Sequence, residues 1–254
     1  MIPTLASRTT PGATVAALAP GAWRLSIPAG PERVYRWAQL DDYLELPRPA
    51  FGWRPPVTLS LQARVSAADL PGTWGFGWWN DPFNVNLGLG GTARRLPALP
   101  DTAWFFYAAP PNHLALWDTH PAQGFLAATF ASTPPPAPLL ALATPVLPLL
   151  SWPWVASRLR QLARRFVRED AACLTVDVTA WHTYALEWRA DVVRFLVDGE
   201  QCFATTIAPG GPLGLVLWID NQYAAFPPSG IVRLGTVANP AAWLELADVD
   251  IQGL

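Results

Sequence analysis

The chain of 254 residues contains no lysine, and all 17 of its basic residues are arginine. Against 19 acidic residues this leaves a formal net charge of −2, with only 14% of the sequence charged. So thin a charge coat provides no broad cationic field, and nucleic acid is not an expected partner. Disorder is excluded as well, because 51% of the residues are hydrophobic. The arginine-only usage accompanies abundant alanine and proline and reads as coding bias. Only two cysteines occur, Cys173 and Cys202, too few for a disulfide framework. They could pair, but free thiols in a reducing compartment are the expectation. The histidines His113, His120 and His182 show no H-E-x-x-H spacing, and no C-x-x-C occurs, so neither a metal nor a cofactor is expected. The apolar run from Leu139 to Trp154 is broken by prolines and falls short of the ~20 residues that cross a bilayer. A glycine-rich run at 88–95 lacks the helix and lysine of a phosphate loop and reads as a loop. The opening "MIPTLASRTTPGATVAALAPGAW" has no basic first segment, which makes it a poor signal peptide and a cytoplasmic location the expectation.

What the chain does have is tryptophan, 14 in all, and short alternating segments. "VTLSLQARVS" places Val57, Leu59, Leu61, Ala63 and Val65 on one face and Thr58, Ser60, Gln62 and Arg64 on the other, the period of a half-buried strand. "WHTYALEW" and "VRFLV" repeat that pattern around a short reversal, and Asp198-Gly199 supplies a type I′ hairpin turn. Further strands are read at "RLSIPAG", "YRWAQLDDYLEL", "TWGFGWWND", "TAWFFYAAP", "HLALWD", "GFLAATFAS", "CLTVDVT", "CFATTI", "PLGLVLWIDN" and "WLELADVDIQ". About a dozen short strands in one domain, 1–254, predict an all-β sandwich of two antiparallel sheets. One stretch breaks the pattern. Residues 133–170 open on a Pro-rich apolar loop and continue as an amphipathic helix. Val155, Leu159, Leu162, Ala163 and Phe166 form its apolar face, while Arg158, Arg160, Arg164, Arg165 and Arg168 take the remaining positions. Three roles are open for this insertion. It packs its apolar face on the sandwich or a sister subunit with its arginines in water, it forms a lid, or its Val155–Arg168 segment lies on an anionic membrane surface.

Three segments resemble the laminarinase-like glycoside hydrolases of family 16, which are built on the concanavalin A-like jelly roll. "GTWGFGWW" at 72–79 is similar to the family's early core strand, with Trp74 and Trp78 at its two tryptophan positions. "WHTYALEW…VRFLVDG" looks like its late hairpin, and "LELADVDIQ" its closing strand. The resemblance implies a jelly roll and a carbohydrate-active groove. It stops at the catalytic strand. The family draws its nucleophile and its acid/base from an E-x-D-x-E or E-x-D-x-x-E strand, with the two carboxylates about 5–5.5 Å apart. The corresponding segment here carries no acid between Asp101 and Asp118, so no catalytic residue can be carried over.

Relocated acids are the alternative, with Asp81, Asp118 and Asp220 as candidates for a cleft rim; each is equally a turn residue or an arginine partner. Asp248 and Asp250 have suitable spacing on a strand expected to lie away from the groove. The family resemblance also implies an aromatic groove, with Trp74, Trp78, Asn80, Trp104, Phe106, Trp218 and Asp220 as its ligand-binding residues. Aromatic faces stack equally on sugar rings and on apolar small molecules; the alternative is that they fill the core between the sheets, and most of the 14 tryptophans are expected to be structural. Three readings therefore compete: a non-catalytic or atypical jelly roll binding a glycan or apolar small molecule, an acid–base enzyme with relocated carboxylates, and a membrane- or partner-associated protein working through 133–170.

Overall fold

In strand β5 (Val57–Val65) every odd-numbered residue is buried and every even-numbered one is partly exposed, the alternation its sequence demands. A computed structural model describes residues 4–82, 98–133 and 152–253 of the chain. Its strands form two seven-stranded antiparallel sheets. Sheet I runs in the order β1 (Ala6–Thr9), β4 (Trp37–Asp41), β13 (Gly214–Asp220), β6 (Thr73–Trp79), β7 (Thr102–Ala108), β8 (Gly124–Ser132) and β9 (Val167–Cys173). Sheet II runs β12 (Glu200–Thr205), β11 (Val193–Val197), β10 (His182–Trp188), β5, β16 (Ala242–Gly253), β3 (Ala22–Ile27) and β2 (Thr14–Ala19). A small ribbon of β14 (Gln222–Ala225) and β15 (Arg233–Thr236) lies outside both. The expected all-β jelly-roll sandwich is the observed fold.

The β10–β11–β12 meander forms as the sequence dictates. Asp198 and Gly199 take φ of 53° and 82°, the left-handed pair that a type I′ turn requires. Elsewhere the reading shifts. The Thr/Gly/Pro-rich opening provides β1 and β2, edge strands of the two sheets. "HLALWD" is a loop, and "CLTVDVT" contributes only Cys173 to the end of β9. Of the stretch read as insertion, 134–151 lies outside the described residues, a helix α1 spans Pro153–Ala163, and the last four residues already belong to β9.

Helix α1 is not held as its pattern suggests. Ala156 and Arg160 are its buried residues, whereas Leu162 is 38% exposed. Arg160 Nη1 donates to the carbonyls of Ala115 and Phe226 at 2.7 and 2.5 Å, and Nη2 to Asp118 at 2.6 Å. Arg164 adds bonds to Leu116 O and Asp118, both at 2.8 Å. The helix lies on loop carbonyls and a carboxylate, so arginine donors face inward beside Ala156 while Val155, Leu159 and Ala163 are half-buried.

Between the sheets lies one apolar core. Trp78 meets Trp188 across it with ring centroids 5.6 Å apart, and Phe105 meets Phe195 edge-on at 5.1 Å. Sheet I is also buried on its other face. Every residue of β7 and β13 is buried, and Trp104, Phe106, Val216 and Trp218 form a second cluster with Tyr43 and Phe51. β6 makes this geometrically possible. In register, Gly75 stands opposite Trp218 and Gly77 opposite Trp104. A Cβ on Gly75 would come within 2.8 Å of the Trp218 ring and 2.4 Å of Phe105 O. One on Gly77, at φ +149°, would come within 2.4 Å of Ala103 O and 2.6 Å of Trp104 Cα.

Gly77→Ala should therefore lower unfolding free energy by about 3 kcal/mol, combining clash and backbone strain. Gly52→Ala, with nothing near its Cβ position, should change it by less than ~1 kcal/mol. Denaturant melts of the two variants check this; equal midpoints would mean that the close approach over β6 does not exist.

Candidate functional site

Alternation divides the predicted aromatics between the two faces of sheet I. Trp74 and Trp78 point into the inter-sheet core, 1% and 0% exposed, with Phe76 between them. They are core residues and take no part in any surface site, a correction to the expectation that they share a groove with Trp104 and Trp218. On β6 the outward positions are Thr73, Gly75, Gly77 and Trp79, so the tryptophan facing outward there is Trp79. Trp104, Phe106 and Trp218 do come together as expected. Trp104 lies 5.0 Å from Phe106 and 5.5 Å from Trp218, and Phe106 lies 5.8 Å from Trp218. Trp79 stacks on Trp218 at an interplanar angle of 6°.

A hydrogen-bonded chain fixes the Trp218 ring. Its Nε1 donates to Thr73 Oγ1 at 3.0 Å, and the Thr73 hydroxyl donates to Asp220 Oδ1 at 2.8 Å. The same oxygen accepts from Gln222 N at 3.0 Å, and Tyr35 bonds the carboxyl from the side chain. Burial pushes the Asp220 carboxyl up to about 7, against the lowering effect of these bonds. Farther along the face, Gln39 receives Trp37 Nε1 at 3.1 Å and donates to Asp41 Oδ2 at 3.0 Å. Asp41 Oδ1 in turn accepts from Leu44 N at 2.9 Å, which starts the loop carrying Tyr43 over the sheet.

Beside the aromatic cluster a shallow, open hollow lies between β7–β9 and the loop before β8. Its walls include Trp104, Phe106, Phe130, Ala171 and Leu114, and its polar rim is His120, Glu169 and Asp170. Trp104 is 6% exposed, and its Nε1 donor has no partner among the described residues. The hollow escaped sequence reading because Glu169 and Asp170 lie in a stretch read as helix and linker.

The acids are mostly committed to structure. Glu169 accepts the backbone N–H groups of Leu116 at 2.8 Å and Trp117 at 2.6 Å, one on each oxygen. Burial raises its pKa, and those two bonds oppose the rise. Asp118 is gripped by Arg160 and Arg164, whose hydrogen bonds hold its carboxyl below the usual range. Asp81 is 5% exposed at φ +50°, and its carbonyl accepts Arg48 Nη2 at 2.6 Å. Asn80 donates to Leu99 O at 2.8 Å and accepts Asp101 N at 3.0 Å, clasping the start of β7. Asp81 follows the end of β6 and Asp220 ends β13 opposite Thr73. Six or more residues of strand, about 20 Å, separate the two acids. They cannot act as one catalytic pair. Among the described residues no group of three or more His, Cys, Asp or Glu is placed to hold a metal ion. Cys173 and Cys202 are both free.

No protein-family model matches the chain, and no curated protein matches it. Solved structures do. An endo-β-1,4-glucuronan lyase from the fungus Trichoderma reesei is similar at TM-score 0.51 and 12% identity, over 98% of this chain and 90% of that one. LamAcat from Zobellia galactanivorans matches at TM-score 0.45 and 11% identity, covering 90% and 76% of the two chains. A family 16 glycosyl hydrolase from Mycobacterium smegmatis matches at 0.43 and 12%, covering 91% and 75%. At 12% identity the likeness to the lyase is one of fold alone.

The Asp220 environment predicts a pH dependence. An unfolded aspartate titrates near 3.9 and the folded one at about 7, so between those values the folded state binds more protons. Stability contributed by this site is therefore present at acid pH and lost as pH rises from about 4 to about 7. Asp220→Asn keeps the neutral shape. Relative to the parent, its unfolding free energy should rise by about 2–3 kcal/mol between pH 5 and pH 8. Urea melts at both pH values test this, and a constant difference would place Asp220 outside the titrating set.

Proposed function

We propose that the protein is a carbohydrate-binding jelly roll that takes one sugar ring, or the end of a glycan, in the hollow beside Trp104. The observation that carries this reading is the pairing of an apolar aromatic wall with a polar rim. Trp104 and Phe106 stack nearly parallel, at 18°, along one side, while His120, Asp170 and Glu169 stand on the other. A sugar ring has an apolar face for the wall and hydroxyls for the rim.

The reading is one of binding without family 16 hydrolysis. Asp118 is held ionised by two arginines, Glu169 is fixed by a backbone donor on each oxygen, and Asp81 and Asp220 are too far apart for the ~5–5.5 Å or ~6.5–9.5 Å geometries of glycosidases. A second reading rests on Asp220 alone. A carboxyl at about 7 suits general acid–base work at neutral pH. It would give a pH–rate profile inflecting near 7 that Asp220→Asn abolishes.

Calorimetric titration with laminaritriose and with a short β-1,4-glucuronan oligomer tests the binding reading. At least one should bind. Ala171→Phe fills the hollow from an edge strand and should weaken that binding more than about tenfold, with the thermal midpoint little changed. Unaltered affinity in this variant would remove the hollow from consideration. Release of new reducing ends, lost in a single Asp→Asn variant, would overturn the non-hydrolytic reading.

A further inference from the structure

Helix α1 presents a face that neither the fold nor the hollow uses. Trp154 is 67% exposed and Trp152, at the helix N-cap, 54%, and their rings stack on each other at 6.3 Å. Trp154, Arg158, Gln161, Leu162 and Arg165 fall at i, i+4, i+7, i+8 and i+11 and all are exposed, so they form one outward stripe. Ile231 adjoins it and is 54% exposed, its neighbour Gly230 lying so close to Pro153 O that a Cβ there would approach within 2.0 Å. Arg168, just beyond the helix, is exposed too.

The charge on this face has one sign. Residues 153–168 contain five arginines and no acid. Arg160 and Arg164 are turned inward, where they neutralise Asp118 and tie the helix to loop carbonyls. Arg158, Arg165 and Arg168 remain for solvent. The inward pair thus fixes the orientation in which the outward residues are displayed. Tryptophan seats at a bilayer's headgroup level, and arginines beside it reach lipid phosphates while their stems lie along apolar surface. No helix among the described residues is long and apolar enough to cross a membrane.

We propose that the outward face of α1, with Trp152, Trp154 and Ile231, docks the protein on an anionic lipid surface. A neutral apolar partner would leave the arginines without counter-charge. Anionic headgroups contribute about fivefold in partitioning for each arginine brought to the surface.

Flotation with liposomes tests this on the full chain. Recovery with vesicles of phosphatidylcholine and phosphatidylglycerol should exceed recovery with phosphatidylcholine alone and should fall as salt is added. Arg158→Glu with Arg165→Glu should lower partitioning at least about twentyfold. Trp152→Ser with Trp154→Ser should lower it on anionic vesicles while leaving the thermal midpoint unchanged. Neither pair touches Arg160 or Arg164, so the helix stays anchored. Equal recovery on the two vesicle types, no recovery on either, or retention by both variants would overturn the proposal. So would sedimentation showing that the parent self-associates through this face, with the tryptophan variant monomeric and vesicles without effect. Binding of a soluble polyanion in preference to vesicles would overturn it equally.

Discussion

Sheet I has to be buried on both faces, and the rest of the molecule follows from that constraint. Its inner face meets sheet II through Trp74, Phe76, Trp78, Phe105 and Leu217, while its outer face carries Trp104, Phe106, Trp218 and Val216. Two indoles cannot lie over a central strand that bears side chains of its own, and Gly75 and Gly77 remove the obstruction. Glycine weakens a strand by its entropy and by having nothing to pack. Here the large rings that pass over β6 offset that loss with apolar burial.

A second layer must then cover the outer cluster, and loops provide it. Loops bring backbone donors and acceptors that need partners once covered. The buried polar side chains meet that need. Asn221 accepts Arg36 N and donates to the Val34 and Val237 carbonyls at 2.8–2.9 Å. Asn112 bonds Ala109 O and receives Ala224 N. Glu169, Arg160 and Asp118 hold the loop that roofs the hollow. Acids that look free in the sequence are spent on this work, and among the described residues the shallow hollow has no pair of unengaged carboxylates beside it.

The same constraint explains what the sequence could and could not reveal. The fold was legible because β5, β10 and β11 each have one apolar and one polar face, and because Asp198-Gly199 can form only a narrow set of turns. In β7 alternation puts Trp104 and Phe106 on one face and Phe105 and Tyr107 on the other. It could not say which set faces sheet II, since both are apolar. Trp78 was therefore assigned to the wrong side and Trp79 missed, although the Gly-x-Gly-x-Trp spacing of β6 marks its outward face. Asp220 was legible as a same-face neighbour of Trp218. Its link through Thr73 joins residues far apart in the chain, and no local pattern encodes that. Helix α1 misled for a related reason: an amphipathic pattern identifies two faces, but loop carbonyls under the helix draw arginine inward where an apolar floor would draw leucine.

The proposed reading puts a glycan on the outer face of sheet I, and not in the inter-sheet core or on the far side of sheet II. Indole N–H resonances followed by two-dimensional NMR during titration with laminaritriose or a glucuronan oligomer address it directly. The Trp104 signal, whose ring lines the hollow, should move most, with Trp218 and Trp79 following through their ring contacts. The inter-sheet signals of Trp74, Trp78 and Trp188 should stay in place. Shifts confined to Trp181 and Trp243 on the far side of sheet II, or to the core tryptophans together, would contradict the account.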